Sequence, residues 1–178
     1  MKKIIWIVIA ILAVWAAGAL FQTVPSVNEI KTVRMIDNNG ESMGTIKLSN
    51  TKAGVLLNLS LIGLTPDGEH AMHIHEVGDC SPLESFKNAG GHFNPHGKSH
   101  GMKHAHGQHA GDMPNLKPDS KGTLATTVLN RHVTLDSGEA GVFDADGSAI
   151  IIHAGADDHM SQPSGAAGAR ISCGVIPQ

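Results

Sequence analysis

Residues 54–64 read GVLLNLSLIGL, and their alternation decides the fold class. Leu57, Leu59 and Leu61 fall on one side of an extended chain, with Asn58 and Ser60 on the other. A helix would scatter these leucines around its axis, whereas a half-buried strand aligns them. Upstream, EIKTVRMI (29–36), DNNGE (37–41) and SMGTIKLSN (42–50) give strand, turn and strand. Downstream, EHAMHIHEV (69–77), TLATTVLNRHVTL (123–135), SAIIIHAG (148–155) and ARISCGVI (169–176) are further strand candidates, bounded by Gly, Asp or Pro. No stretch after residue 21 sustains an apolar stripe of helical period. The pattern predicts an all-β domain, a Greek-key antiparallel β-sandwich or barrel.

Two regions interrupt the strands. Residues 78–122 carry little strand signal, and residues 154–169 are rich in Gly, Ala and Asp. Loops this long inside a compact domain are usually functional and need cross-links to be ordered. Cys80 lies in the first and Cys173 just beyond the second, 93 positions apart. In an exported chain such a pair reads as a disulfide, while neither cysteine sits in a C-x-x-C pair that would suggest a metal-binding thiol.

Export is itself a sequence expectation. Lys2 and Lys3 precede an unbroken apolar run, Ile4 to Phe21, of a length between a signal-peptide core and a membrane span. Ala17-Gly18-Ala19 offers a cleavage site, so residues 1–21 read as either a cleaved signal peptide or an N-terminal anchor. Residues 22–27 then form a linker and residues 28–178 one domain. Either way the domain is expected outside the cytoplasm: in the periplasm, on the outer face of the membrane or secreted. Membrane contact is expected through residues 1–21 alone.

Composition narrows the partners. With Lys2 and Lys3 set aside, the 13 basic residues become 11 against 16 acidic ones, and no basic stripe suited to phosphates remains, which excludes nucleic acid. Both tryptophans, Trp6 and Trp15, lie in the leader, and the chain has no Tyr, so the core must be aliphatic.

The histidines carry the chemistry. In the HIH of residues 73–75, His73 and His75 share one face of a strand, which makes half of a metal site. His153 closes the apolar run AIIIH, and His92 stands in AGGHFNP at the mouth of the long loop. Four imidazoles without a thiolate suit copper, whose divalent form favours a tetragonal nitrogen set. HGKSHGMKHAHGQHAGD (96–112) adds His100, His109 and Asp112. With the second nitrogen of His92, these offer the three N and one O ligands of a closed zinc site.

HAMHIHEVGDCSP (70–82), NAGGHFNPHGKSHG (88–101), GQHAGDMPNL (107–116), AIIIHAGADDH (149–159) and GARISCGVI (168–176) together resemble bacterial copper/zinc superoxide dismutases. The match runs in order and spacing over most of residues 40–178, and that family is known to have a β-sandwich architecture. The resemblance implies copper on His73, His75, His92 and His153, and zinc on His92, His100, His109 and Asp112. It implies that Asp157 links the two ligand sets and that Cys80 and Cys173 form the disulfide. Arg170 would stand beside copper and guide the substrate, superoxide, which is disproportionated to dioxygen and hydrogen peroxide. His92 would bridge the metals and hold a proton.

Residues 154–169 contain no Lys or Arg, which leaves Lys98, Lys103 and Lys121 of the first loop as candidates for a positive approach. His96, His104 and His106 read as a hydrophilic loop face; His70, His132 and His159 read as surface or packing histidines. A homodimer is compatible with the family. The rival reading is a non-catalytic copper- and zinc-binding envelope protein.

Overall fold

The computed structural model describes residues 29–178; the expected leader and linker lie outside them. Among the described residues no helix is long and apolar enough to cross a membrane. Within the described residues seven antiparallel strands form one sheet: β1 (Lys31–Asp37), β2 (Ser42–Thr51), β3 (Gly54–Leu61), β4 (Met72–His75), β5 (Leu124–Asn130), β6 (Ala149–His153) and β7 (Arg170–Val175). Their order is β4-β6-β7-β1-β2-β3-β5, so β3 leads to the far edge and the chain later returns as β5 beside β3. The expected Greek-key all-β fold is the one observed.

The sheet curls over its own apolar face. Leu57, Leu59 and Leu61 of β3 share a single core with Met72 and Ile74 of β4 and Ile150 and Ile152 of β6, from the opposite end of the sheet. That shared core makes the curled sheet a sandwich. Several strands are shorter than the sequence suggests, β4 and β5 most of all. The fourth spans only Met72–His75, and β5 ends at Asn130, whose side chain accepts from the His132 N–H and donates to the Ala110 carbonyl. That side chain turns the chain out of the ladder.

Register determines what faces outward. Met72 pairs with Ile152 and Ile74 with Ile150, all directed to the main core; His73 pairs with Ile151 and His75 with Ala149. Ala149 and Ile151 instead join Phe86, Ala89 and Cys173 in a second cluster on the outer face. The segment after β4, with short 3-10 turns at Pro82–Glu84 and Lys87–Ala89, therefore covers that face and buries Phe86 completely. Cys80 and Cys173 are joined, with Cα atoms 5.5 Å apart, and fasten this segment to β7.

Candidate metal centre

His73 and His75 project from β4 under the covering loop, and both are buried. His153 ends β6, where the pairing with β7 shifts by a residue. His92 bridges to His75 through its backbone, and its ring stacks on that of His73 with centroids 3.9 Å apart. Each of these four rings uses one nitrogen within the protein. His73 Nε2–H donates to Asp157 Oδ2 (2.9 Å), His75 Nδ1–H to the Gly90 carbonyl (3.0 Å) and His153 Nδ1–H to the Gly168 carbonyl (3.2 Å). His92 Nδ1 lies 2.9 Å from Asp112 Oδ1.

The remaining nitrogens, His73 Nδ1, His75 Nε2, His92 Nε2 and His153 Nε2, are buried without a hydrogen-bond partner. Leaving one such group unsatisfied costs about 1–3 kcal/mol, so four gathered within 4.8 Å of one another need a ligand. Because a carbonyl or carboxylate can only accept, the N–H of His73, His75 and His153 is fixed on the partnered nitrogen. Their unpartnered nitrogens thus present lone pairs. Burial, aided by the neighbouring cationic groups, pushes His75 well below its ordinary pKa, His92 down to about 4 and His153 down to about 3; burial also lowers His73. Neutral imidazoles are what a metal requires. Four nitrogen donors fit copper.

Beside them, His92 Nδ1, His100 Nδ1, His109 Nδ1 and Asp112 Oδ1 converge. Asp112 Oδ1 is 2.9 Å from His92 Nδ1, 3.1 Å from His100 Nδ1 and 3.5 Å from His109 Nδ1; the His92 and His109 nitrogens are 3.4 Å apart. Ligands around a tetrahedral zinc with bonds of about 2.0–2.1 Å stand about 3.3 Å from one another, so the set has the right size. The other Asp112 oxygen accepts from the Gly101 N–H (2.8 Å) and the His109 N–H (3.0 Å), which aims Oδ1 at the three rings. His73 also falls within reach of His92, His100 and Asp112, but its Nε2 is committed to Asp157 and its Nδ1 faces the first set, so His109 completes the second.

Charge agrees with this assignment. Burial opposes ionisation of Asp112, yet hydrogen bonds from His100, His109 and His92 hold its carboxyl far below the usual range. Burial likewise opposes protonation of His100, but hydrogen bonds to Asp112 and Asp157 outweigh it and raise His100 to about 9.

Asp157 joins the two sets. Its Oδ2 accepts from His73 and its Oδ1 from His100 Nε2–H at 3.0 Å. Arg170 does not pair with Asp157 or Asp158. Its Nη1 donates to the Phe86 carbonyl (2.6 Å) and the Lys87 carbonyl (3.4 Å), and its Nη2 to the Gly90 carbonyl (2.6 Å), which also receives His75 Nδ1–H.

Sequence reasoning missed several supports. His70 is buried, donates from Nδ1 to the His153 carbonyl (2.7 Å) and accepts the Thr65 N–H at Nε2. Asn115 bonds both backbone groups of Asp157, and Gln162 both of His100. None carries a local signal, since each acts on a residue distant in the chain.

His96, His104, His106 and His159 stay outside both clusters. His96 lies 3.4 Å from Glu139, and His104 Nδ1 accepts the His106 N–H. His159 Nδ1 stands 3.3 Å from Asp157 Oδ2 without hydrogen-bond alignment. Of the proposed approach lysines, Lys103 Nζ reaches the Asp158 carbonyl at 3.5 Å.

Comparison with known proteins agrees with this geometry. A sequence profile described as "Copper/zinc superoxide dismutase (SODC)" matches residues 42–176. "Superoxide dismutase [Cu-Zn] 2" of Aquifex aeolicus is 50% identical over 143 residues, covering 80% of this chain and 83% of its own length. The crystal structure of a SOD-like protein from Bacillus subtilis superposes with a TM-score of 0.79 at 36% identity, over 82% of this chain and 97% of that one. A Cu/Zn superoxide dismutase from Brucella abortus gives 0.67 at 28% identity, over 84% and 100%.

Proposed function

The chain belongs to the copper/zinc superoxide dismutase family, and on that premise we propose which of its side chains carry the activity. His73, His75, His92 and His153 hold copper; His92, His100, His109 and Asp112 hold zinc. The reaction is the disproportionation of superoxide to dioxygen and hydrogen peroxide. When bound, copper supplies one-electron redox chemistry between its two oxidation states, and zinc a fixed charge without redox chemistry.

The observation that carries this reading is the division of His92. Its Nε2 is unpartnered among the copper nitrogens, and its Nδ1 lies in the zinc set. One ring therefore serves both sets, and its Nε2 is the atom at which the protein can hold a proton that peroxide needs. Asp157 accepts the Nε2–H of both His73 and His100, which would leave His73 Nδ1 for copper and His100 Nδ1, once the metal displaces its proton, for zinc. The Arg170 guanidinium, fixed by three carbonyls of residues 86–90, sits close enough to His75 and His153 to depress their protonation. It is the cation placed to receive a small anion.

We place the domain outside the cytoplasm, in the periplasm, on the outer face of the cytoplasmic membrane or secreted, because a disulfide persists in oxidising compartments and residues 1–21 read as an export signal or anchor. The functional test compares superoxide removal by metal-free protein and by protein loaded with both metals. Activity should rise in proportion to bound copper. Absence of activity with both metals in place would return the chain to the metal-binding envelope class.

A further inference from the structure

We infer that Gln162 is a positioning residue for the zinc set, holding His100 by both polar groups of its backbone. The inference rests on His100 being a zinc ligand. Gln162 Oε1 accepts the His100 N–H at 2.9 Å, and Gln162 Nε2 donates to the His100 carbonyl at 3.0 Å and to the Met160 carbonyl at 2.9 Å. His100 belongs to no strand, so this side-chain amide gives it the two-bond pairing that a neighbouring strand would give. The clamp joins residues 62 apart, one from each long loop.

The neighbourhood is built around the same contact. Asn115 of the first loop makes the reciprocal clamp on Asp157 of the second, with both bonds at 2.9 Å. Lys103 N–H bonds the His159 carbonyl at 3.1 Å. A Cβ at Gly165 would overlap Asp157 Oδ1 and stand 2.7 Å from His100 Nε2, so the second loop closes directly onto the His100 ring at a position with room for glycine alone. Both ring nitrogens of His100 are set by Asp112 and Asp157. The Gln162 clamp sets the backbone from which that ring hangs.

Zinc tolerates ligand displacements of about 0.2 Å, so a freed His100 backbone weakens binding even with every ligand present. Groups that orient metal ligands typically contribute about 10–100-fold to affinity, and that is the loss expected for Gln162→Met, which keeps length without hydrogen bonding. Gln162→Glu keeps an oxygen for the His100 N–H and should recover part of the loss.

The test measures zinc affinity by chelator competition for the parent, Gln162→Met, Gln162→Glu and His100→Ala, with melting of each metal-free protein alongside. Support is a 10–100-fold loss in Gln162→Met, partial rescue in Gln162→Glu and metal-free melting temperatures equal to the parent's. If His100→Ala loses zinc while Gln162→Met binds as the parent does, the site stands and the clamp is refuted. If His100→Ala binds like the parent, the zinc assignment itself falls. Equal losses in both Gln162 variants with lowered metal-free melting would show only a destabilised loop and overturn the positioning role.

Discussion

Reducing the Cys80–Cys173 bond should destabilise the metal-free domain by about 4–5 kcal/mol. The bond closes a loop of 93 positions, and the chain-entropy treatment gives that magnitude for the freedom returned to the unfolded chain. In a domain of this size each kcal/mol moves the melting temperature by about 2–4 °C, so the midpoint should fall by about 8–20 °C. Calorimetry of metal-free protein with and without reductant, with thiols counted, reads this directly. A shift under about 3 °C with two free thiols per chain would refute the reasoning. The structure adds a functional consequence. The bond tethers the segment whose Phe86, Lys87 and Gly90 carbonyls hold Arg170 and whose Gly90 carbonyl orients His75. In the reduced, metal-loaded protein, superoxide removal per bound copper should therefore drop. Unchanged activity per copper would break the link between bond and site.

His153→Ala should abolish turnover and copper retention while leaving zinc bound, because His153 contributes no atom to the second set; zinc loss in proportion to copper would contradict the division. Arg170→Glu should slow superoxide capture with both metals still bound, and Arg170→Lys much less, since focusing by a cation raises association rates by about 10–10³-fold and fades with salt. Equal rates for parent and Arg170→Glu at low ionic strength would return Arg170 to a structural role. In metal-free protein, His92 at about 4 and His153 at about 3 lie below the ordinary histidine value of about 6.5, so the unfolded chain takes up protons first. The stability these two histidines contribute should be complete above pH 6.5 and fall progressively toward pH 3. His100, raised to about 9, adds stability that is complete below pH 6.5 and lost as pH rises through 9. Denaturant midpoints that stay flat from pH 7 to 4 would contradict the neutral, buried state of the copper ligands.

The framework of this molecule was legible where chemistry repeats locally. Leu57, Leu59 and Leu61 alternate because one face of β3 is core, and the same period put His73 and His75 on one face of β4. His100, His109 and Asp112 were readable as metal-binding residue types in a stretch without a core of its own. Strand ends were less legible: Asn130 stops β5 through bonds to Ala110 and His132, which the pattern of TLATTVLNRHVTL does not reveal. His70 was read only as a surface or packing histidine, not as a support for His153, while Asn115 and Gln162 escaped altogether. The roles of Asn115 and Gln162 arise only when the two loops meet. Arg170 was singled out by the family resemblance of GARISCGVI, but its three carbonyl partners were not, since they belong to a segment about 80 residues earlier.

The central claim is that one imidazole, His92, belongs to two metal sites. Elemental analysis of the parent and of His92→Ala, after reconstitution with copper and zinc together and removal of loosely bound ions, tests it most directly. The parent should hold one copper and one zinc per chain, and the single substitution should weaken both. One metal ion per chain in the parent, or a variant that loses only one metal, would contradict the shared ligand.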